Sequence, residues 1–114
     1  MATIYHNPRC SKSRQALALL EEKGIRHDVI LYLDNPPDAK TLKILLKKLG
    51  IPARALLRKS EAEYRELQLD NPVLSEADII AAMCTHPRLI ERPIVINGQR
   101  AAIGRPLENI LEII

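Results

Sequence analysis

The chain has 114 residues, 46% of them hydrophobic, and a formal net charge of +3 at pH 7, enough apolar material for one core and too little length for two domains. The apolar residues are almost all aliphatic, with Tyr5, Tyr32 and Tyr64 the sole aromatics, so the stacking platforms that bind single-stranded nucleic acid are missing. Lys and Arg are interspersed with Glu and Asp rather than gathered into a basic stripe, which points to small anions and away from nucleic acid as partners.

In chain order, Met1 leads directly into a strand expected over Thr3 to His6, without a basic region followed by an apolar stretch. No later segment approaches the length of a membrane span, so the expected location is the cytoplasm and no membrane partner is expected. Pro8 ends the strand, and Ser11 to Lys23 follows as a helix with Ala16, Leu17 and Leu20 inward and Gly24 closing it. Ile25 to Leu33, with Val29, Ile30 and Leu31 in a run, predicts a strand buried on both faces. Strand, helix and apolar strand together predict a parallel βαβ unit.

Asp38 caps a second helix with Leu42, Leu45, Leu46 and Leu49 on one face, and Gly50 ends it. A brief helical turn runs from Pro52 towards Arg58. Ser60 and Glu63 form a capping-box pattern for a short helix, and Ser75 caps another with Ile79, Ile80, Met83 and Cys84 inward. Asn97-Gly98 between two apolar runs predicts a hairpin on a type I′ turn. The last helix follows Pro106, with Leu107, Ile110, Leu111 and Ile114 inward.

The expected architecture is therefore α/β. It is a single domain over 1–114 whose four-stranded mixed sheet, ordered β-α-β, helical insertion at about 50–89, β-β-α, has helices on both faces in a thioredoxin-like arrangement. That order places the loop Tyr5-His6-Asn7-Pro8-Arg9-Cys10-Ser11-Lys12-Ser13-Arg14 at the first strand-to-helix turn.

Cys10 is the candidate nucleophile. A sulfur just before a helix meets unpaired N–H groups and a partial positive charge, both of which favour thiolate, and Arg9, Lys12 and Arg14 act in the same sense. The same geometry accepts an anion. Arg58, Arg92 and Arg105 each lie at an element boundary, where side chains can converge on one rim of a sheet, and the guanidinium fork matches a tetrahedral oxyanion. The position three residues after Cys10, where a dithiol enzyme carries its resolving cysteine, is Ser13, so an external thiol is needed. Cys84, on the stripe of its helix, is expected to be a buried small hydrophobe. The scattered His6, His27 and His86 make no metal site.

The segments HNPRCSKSR, LYLDNPP, RALLRK, ERPIVINGQ and IGRP, spaced through the chain in that order, resemble the glutaredoxin-coupled arsenate reductase family from Ile4 to Ile114. The resemblance implies that Cys10 is catalytic, that Arg58, Arg92 and Arg105 bind substrate, and that His6 supports the thiolate, a role in which Ser13 joins it. A thioredoxin-like fold characteristically places a cis proline before its third strand, here Pro93, while the residues alone leave the isomer of Arg92-Pro93 open. The chemistry the resemblance implies is reduction of arsenate or a similar oxyanion to arsenite, with glutathione as co-substrate and glutaredoxin as partner. No bound cofactor and no metal are called for. Two other readings stay open from the residues. One is a monothiol glutaredoxin-like oxidoreductase; the other is an Spx-like regulator that binds RNA polymerase, against which the absence of a second cysteine at Ser13 counts.

Overall fold

A computed structural model describes residues 1–114, which fold as two compact units: Met1–Asn35 with Arg92–Ile114, and Pro36–Glu91. The first unit holds the sheet. β1 (Ala2–Tyr5) pairs in parallel with β2 (His27–Ile30) and antiparallel with β3 (Ile94–Asn97), and β4 (Arg100–Ile103) pairs antiparallel with β3. The order is β2-β1-β3-β4, the four-stranded mixed sheet of a thioredoxin-like fold. Ile4 lies opposite Val29 on one side and Val95 on the other.

Strand alternation puts Ala2 and Ile4 on one face, and there Val95, Ala16 and Leu20 of α1 (Ser11–Glu22), and Ile110 and Ile113 form one buried cluster. The cluster explains why α1 is amphipathic: its apolar side chains recur three to four residues apart and cover this face, while Glu21, Glu22 and Lys23 stay exposed. Gly24 follows at φ 66°, a left-handed conformation that a glycine adopts without a steric penalty.

The second unit is helical: α2 (Ala39–Leu49), α3 (Ala53–Leu56), α4 (Ala62–Glu66) and α5 (Glu76–Thr85), followed by a 3₁₀ turn at Pro87–Leu89. Asp38 caps α2 by accepting from the Thr41 N–H at 2.8 Å, and Ser75 forms a reciprocal capping box with Asp78 on α5. Leu42, Leu45, Leu56, Ile79, Met83 and Leu89 are fully buried.

Five local expectations are corrected. Ile25–Leu33 is not a strand buried on both faces: β2 stops at Ile30 because the chain turns there, with Asp34 and Asn35 donating to the Leu31 carbonyl. As the edge strand it also leaves Val29 exposed, and Leu31 just beyond its end is exposed as well. The hairpin turn is centred on Gly98-Gln99, since Asn97 pairs with Arg100. Gly98 alone has positive φ, the pattern of a type II′ turn rather than type I′.

In α6 (Glu108–Leu111) Leu111 is exposed and Ile113 buried, the reverse of the 3.6-residue expectation. The helix is only four residues long, and at its ends the Ile110 N–H donates to the Leu107 carbonyl and the Ile113 N–H to the Ile110 carbonyl, so Ile113, just past the helix, comes to the side of Ile110 while Leu111 faces solvent. Ser60 does not cap α4, whose N-cap is Glu61 without a side-chain bond. Cys84 is half-buried at the margin of its helix stripe; burial and the charge of Asp38 both push its thiol pKa up.

Candidate active site

The loop after β1 is built by short-range bonds. The Cys10 N–H donates to the Asn7 carbonyl at 3.0 Å, the Arg9 N–H to Asn7 Oδ1 at 3.0 Å, and the Arg14 guanidinium to the Pro8 carbonyl at 2.8 Å. Together these close a tight turn that sets Cys10 as the N-cap of α1, with extended φ and ψ of −97° and 123°. No side chain caps this helix, so the sulfur occupies the place a capping oxygen would take.

Cys10 is buried, and burial on its own would raise the thiol pKa. The net shift is nevertheless downward. The backbone N–H of Ser13 favours the thiolate most, then the charge of Arg92, the N–H of Lys12 and the charge of Arg105. Arg105 Nη2 lies 3.7 Å from Cys10 Sγ, and Arg105 Nε donates to the Arg92 carbonyl at 2.8 Å. Both arginines therefore act at the sulfur, and one is tied to the backbone of the other. Arg92-Pro93 and Arg105-Pro106 are cis peptide bonds.

His6 and Ser13 are both buried, and His6 Nδ1 shares a 2.7 Å hydrogen bond with Ser13 Oγ, which also accepts from the Asn7 N–H at 3.0 Å. Burial, and after it the charge of Arg14, holds the His6 pKa below its ordinary 6.5, against the pull of Ser13, so the ring is neutral at pH 7. It supplies no positive charge. Its contact fixes Ser13, whose N–H faces the sulfur.

The structure thus brings together Cys10, His6, Ser13, Arg92 and Arg105 within the first unit. Arg58 lies in the second unit just after α3; its Nη1 pairs with Glu61 Oε1 at 2.8 Å, and Glu61 Oε2 pairs with Arg88 at 3.2 Å. Of the cations flanking Cys10 in sequence, Arg14 is engaged by the Pro8 carbonyl, and neither it, Arg9 nor Lys12 contributes a charge that shifts the thiol. Sequence adjacency misleads here, because Arg9, Lys12 and Arg14 are all exposed, on the solvent side of the loop and of the first turn of α1. The residue types gave no signal for the Lys12 and Ser13 N–H groups, which are common to every residue except proline; their sole signature was the predicted helix start. No three His, Cys, Asp or Glu side chains cluster as a metal site, and no helix is long and apolar enough to cross a membrane.

With this geometry in place, the ArsC family model matches residues 5–113. The chain belongs to the ArsC family. A relative from Neisseria meningitidis serogroup A, named arsenate reductase, is 55% identical over 94% of this chain and 92% of its own length. Another with the same name, from Haemophilus influenzae, is 52% identical over 97% of each chain. The solved structure of an arsenate reductase from Vibrio cholerae superposes with a TM-score of 0.97 at 50% identity, covering 99% of this ArsC-family chain and 97% of that one.

Proposed function

We propose that this chain reduces arsenate to arsenite, with Cys10 as the nucleophile and Arg92 and Arg105 as oxyanion ligands. The observation that carries the reading is the Arg105 guanidinium 3.7 Å from a sulfur that caps a helix N-terminus. This site favours a thiolate and can attract an oxyanion to the same few ångströms. Membership of the ArsC family, among relatives named arsenate reductase, supports arsenate as that oxyanion.

In this reading the Cys10 thiolate attacks arsenic, an S–As bond forms, and one oxygen leaves as water after protonation. Glutathione thiolate then attacks the Cys10 sulfur. The S–As electron pair stays with arsenic, which departs as arsenite, and the two sulfurs form a mixed disulfide. Glutaredoxin reduces that disulfide and restores Cys10. The arginines offset the repulsion between an anionic substrate and a thiolate, an electrostatic contribution that commonly dominates such barriers. Ser13 in place of a resolving cysteine supports the external thiol, and a glutathione-based cycle fits the reducing cytoplasm. His6 and Ser13 support the thiolate by holding the N–H of Ser13 against it.

The test is arsenate-dependent NADPH oxidation with glutathione, glutaredoxin and glutathione reductase, run beside Cys10→Ser. Turnover by the parent that vanishes in the variant is the expected result. Turnover retained in Cys10→Ser defeats it. Reduction of a glutathionylated protein without arsenate-dependent oxidation would assign the chain to the monothiol oxidoreductase reading instead.

A further inference from the structure

Arg105 reaches the sulfur from a short segment between β4 and α6, and that segment is held at several points. The Gly104 N–H donates to the Pro93 carbonyl at 2.9 Å, beside the Arg105 Nε to Arg92 carbonyl bond, so the segment is docked along Arg92-Pro93. Gly104 itself is buried, and a Cβ there would lie 2.8 Å from both Pro93 Cγ and Ile110 Cδ1. The remaining tie is Asn109, in the single turn of α6: its Nδ2 donates to the Ile103 carbonyl at 3.1 Å and to the Arg105 carbonyl at 3.3 Å. One amide nitrogen thus spans Gly104 and joins the end of β4 to the backbone of Arg105.

We propose that Asn109 is a positioning residue, whose amide fixes the Arg105 backbone so that the guanidinium stands at the Cys10 sulfur. A helix of only four residues does not by itself fix the preceding loop, and Pro106 removes a backbone donor from the segment. The side-chain amide supplies that constraint. Without it the Arg105 carbonyl loses its link to β4, and a long side chain at an exposed position loses the anchor that orients its fork. The charged groups that act on Cys10 are Arg92 and Arg105, with the Ser13 and Lys12 N–H groups beside them, so displacement of Arg105 is legible in the sulfur's reactivity.

The proposal rests on the Cys10–Arg105 geometry, and its test uses no arsenate, so its outcome is separate from that of the substrate reading. The rate of Cys10 alkylation by iodoacetamide is followed against pH in a Cys84→Ser background for the parent, Arg105→Ala, Asn109→Ala, the double variant, Asn109→Gln and Asn97→Ala. Asn97 is the control: its Nδ2 donates to the Ile113 carbonyl at 2.6 Å, an equivalent staple, but at the end of β3 remote from Ile94, which pairs with Tyr5.

Arg105→Ala and Asn109→Ala are expected to move the alkylation midpoint to higher pH and slow the reaction several-fold near neutrality. The double variant is expected to go no further than Arg105→Ala, Asn109→Gln to restore part of the loss, and Asn97→Ala to lower thermal stability without moving the midpoint. An unmoved midpoint in folded Asn109→Ala, or shifts that add in the double variant, overturns the proposal. If Asn109→Ala does not fold, Asn109→Gln and Asn109→Ser carry the same comparison: with the amide lost, the serine variant must shift the midpoint more than the glutamine variant, and equal midpoints overturn the assignment.

Discussion

At Cys10 burial and the site's dipoles and charges oppose one another, and the second set wins, which leaves the thiol pKa below its ordinary value. A group whose folded pKa is depressed is stabilised as its anion. The native state therefore gains stability as pH rises through the folded pKa, and the gain is complete above the unfolded thiol value of about 8.5. The stability difference between the parent and Cys10→Ser, measured by urea denaturation, is expected to widen with pH over that window and to be independent of pH below it. A flat difference would mean that folding does not lower the thiol pKa. Arg92 and Arg105 belong to the same scale. Replacing either with alanine removes a charge-assisted contact worth about 1.5–3 kcal/mol, so the arsenate KM is expected to rise roughly ten- to a hundredfold, while kcat falls less. Equal losses in kcat and kcat/KM would instead place the arginine in the transition state alone.

Elements in this chain are set mostly by their ends. Ser75 and Asp78 satisfy one another's backbone N–H groups at the start of α5, and Ser75→Ala is expected to cost about 1 kcal/mol, read as a lower urea midpoint with unchanged m value. α1 uses its N-terminus differently: no side-chain oxygen caps it, and its free N–H groups are left for the sulfur. Stability given up at one helix start is available for chemistry. Between β4 and α6, Gly104→Ala would press a methyl group onto Pro93 and Ile110, both buried. A loss of about 1–3 kcal/mol is expected, as for overpacking elsewhere, together with slower Cys10 alkylation because Arg105 follows directly. Unchanged stability would show that the loop moves freely.

For the whole molecule, one face of the sheet carries the apolar contacts that hold α1 and α6. Leu20→Ala, in the middle of that cluster, is expected to cost about 2–5 kcal/mol in denaturant unfolding. The chain's net charge of +3 is modest, so capture of an anion depends on local arginines rather than on a global field. Added salt is accordingly expected to raise the arsenate KM only a few-fold from low to physiological ionic strength, with kcat held. A steeper dependence would indicate steering by the wider surface.

Much of this was legible in the amino-acid sequence because it is local. Asp38, Gly50 and Ser75 mark helix ends by chemistry that acts over three or four residues, and the apolar spacing of α1 and α2 follows from a fixed helical period. The position of Cys10 before a helix, and the choice of Ser13 over a second thiol, were equally plain in the residue order. Only tertiary structure decided which charges act on the sulfur. Arg9, Lys12 and Arg14 are adjacent in sequence yet do not shift it, whereas Arg92 and Arg105, some eighty to ninety-five positions away, do. The reason is that Arg9, Lys12 and Arg14 lie on the exposed side of the loop and of the first turn of α1, while antiparallel pairing of β1 with β3 returns the distant chain to the end of β1. The same limit hid the edge position of β2, because an apolar run does not tell whether another strand lies beyond it.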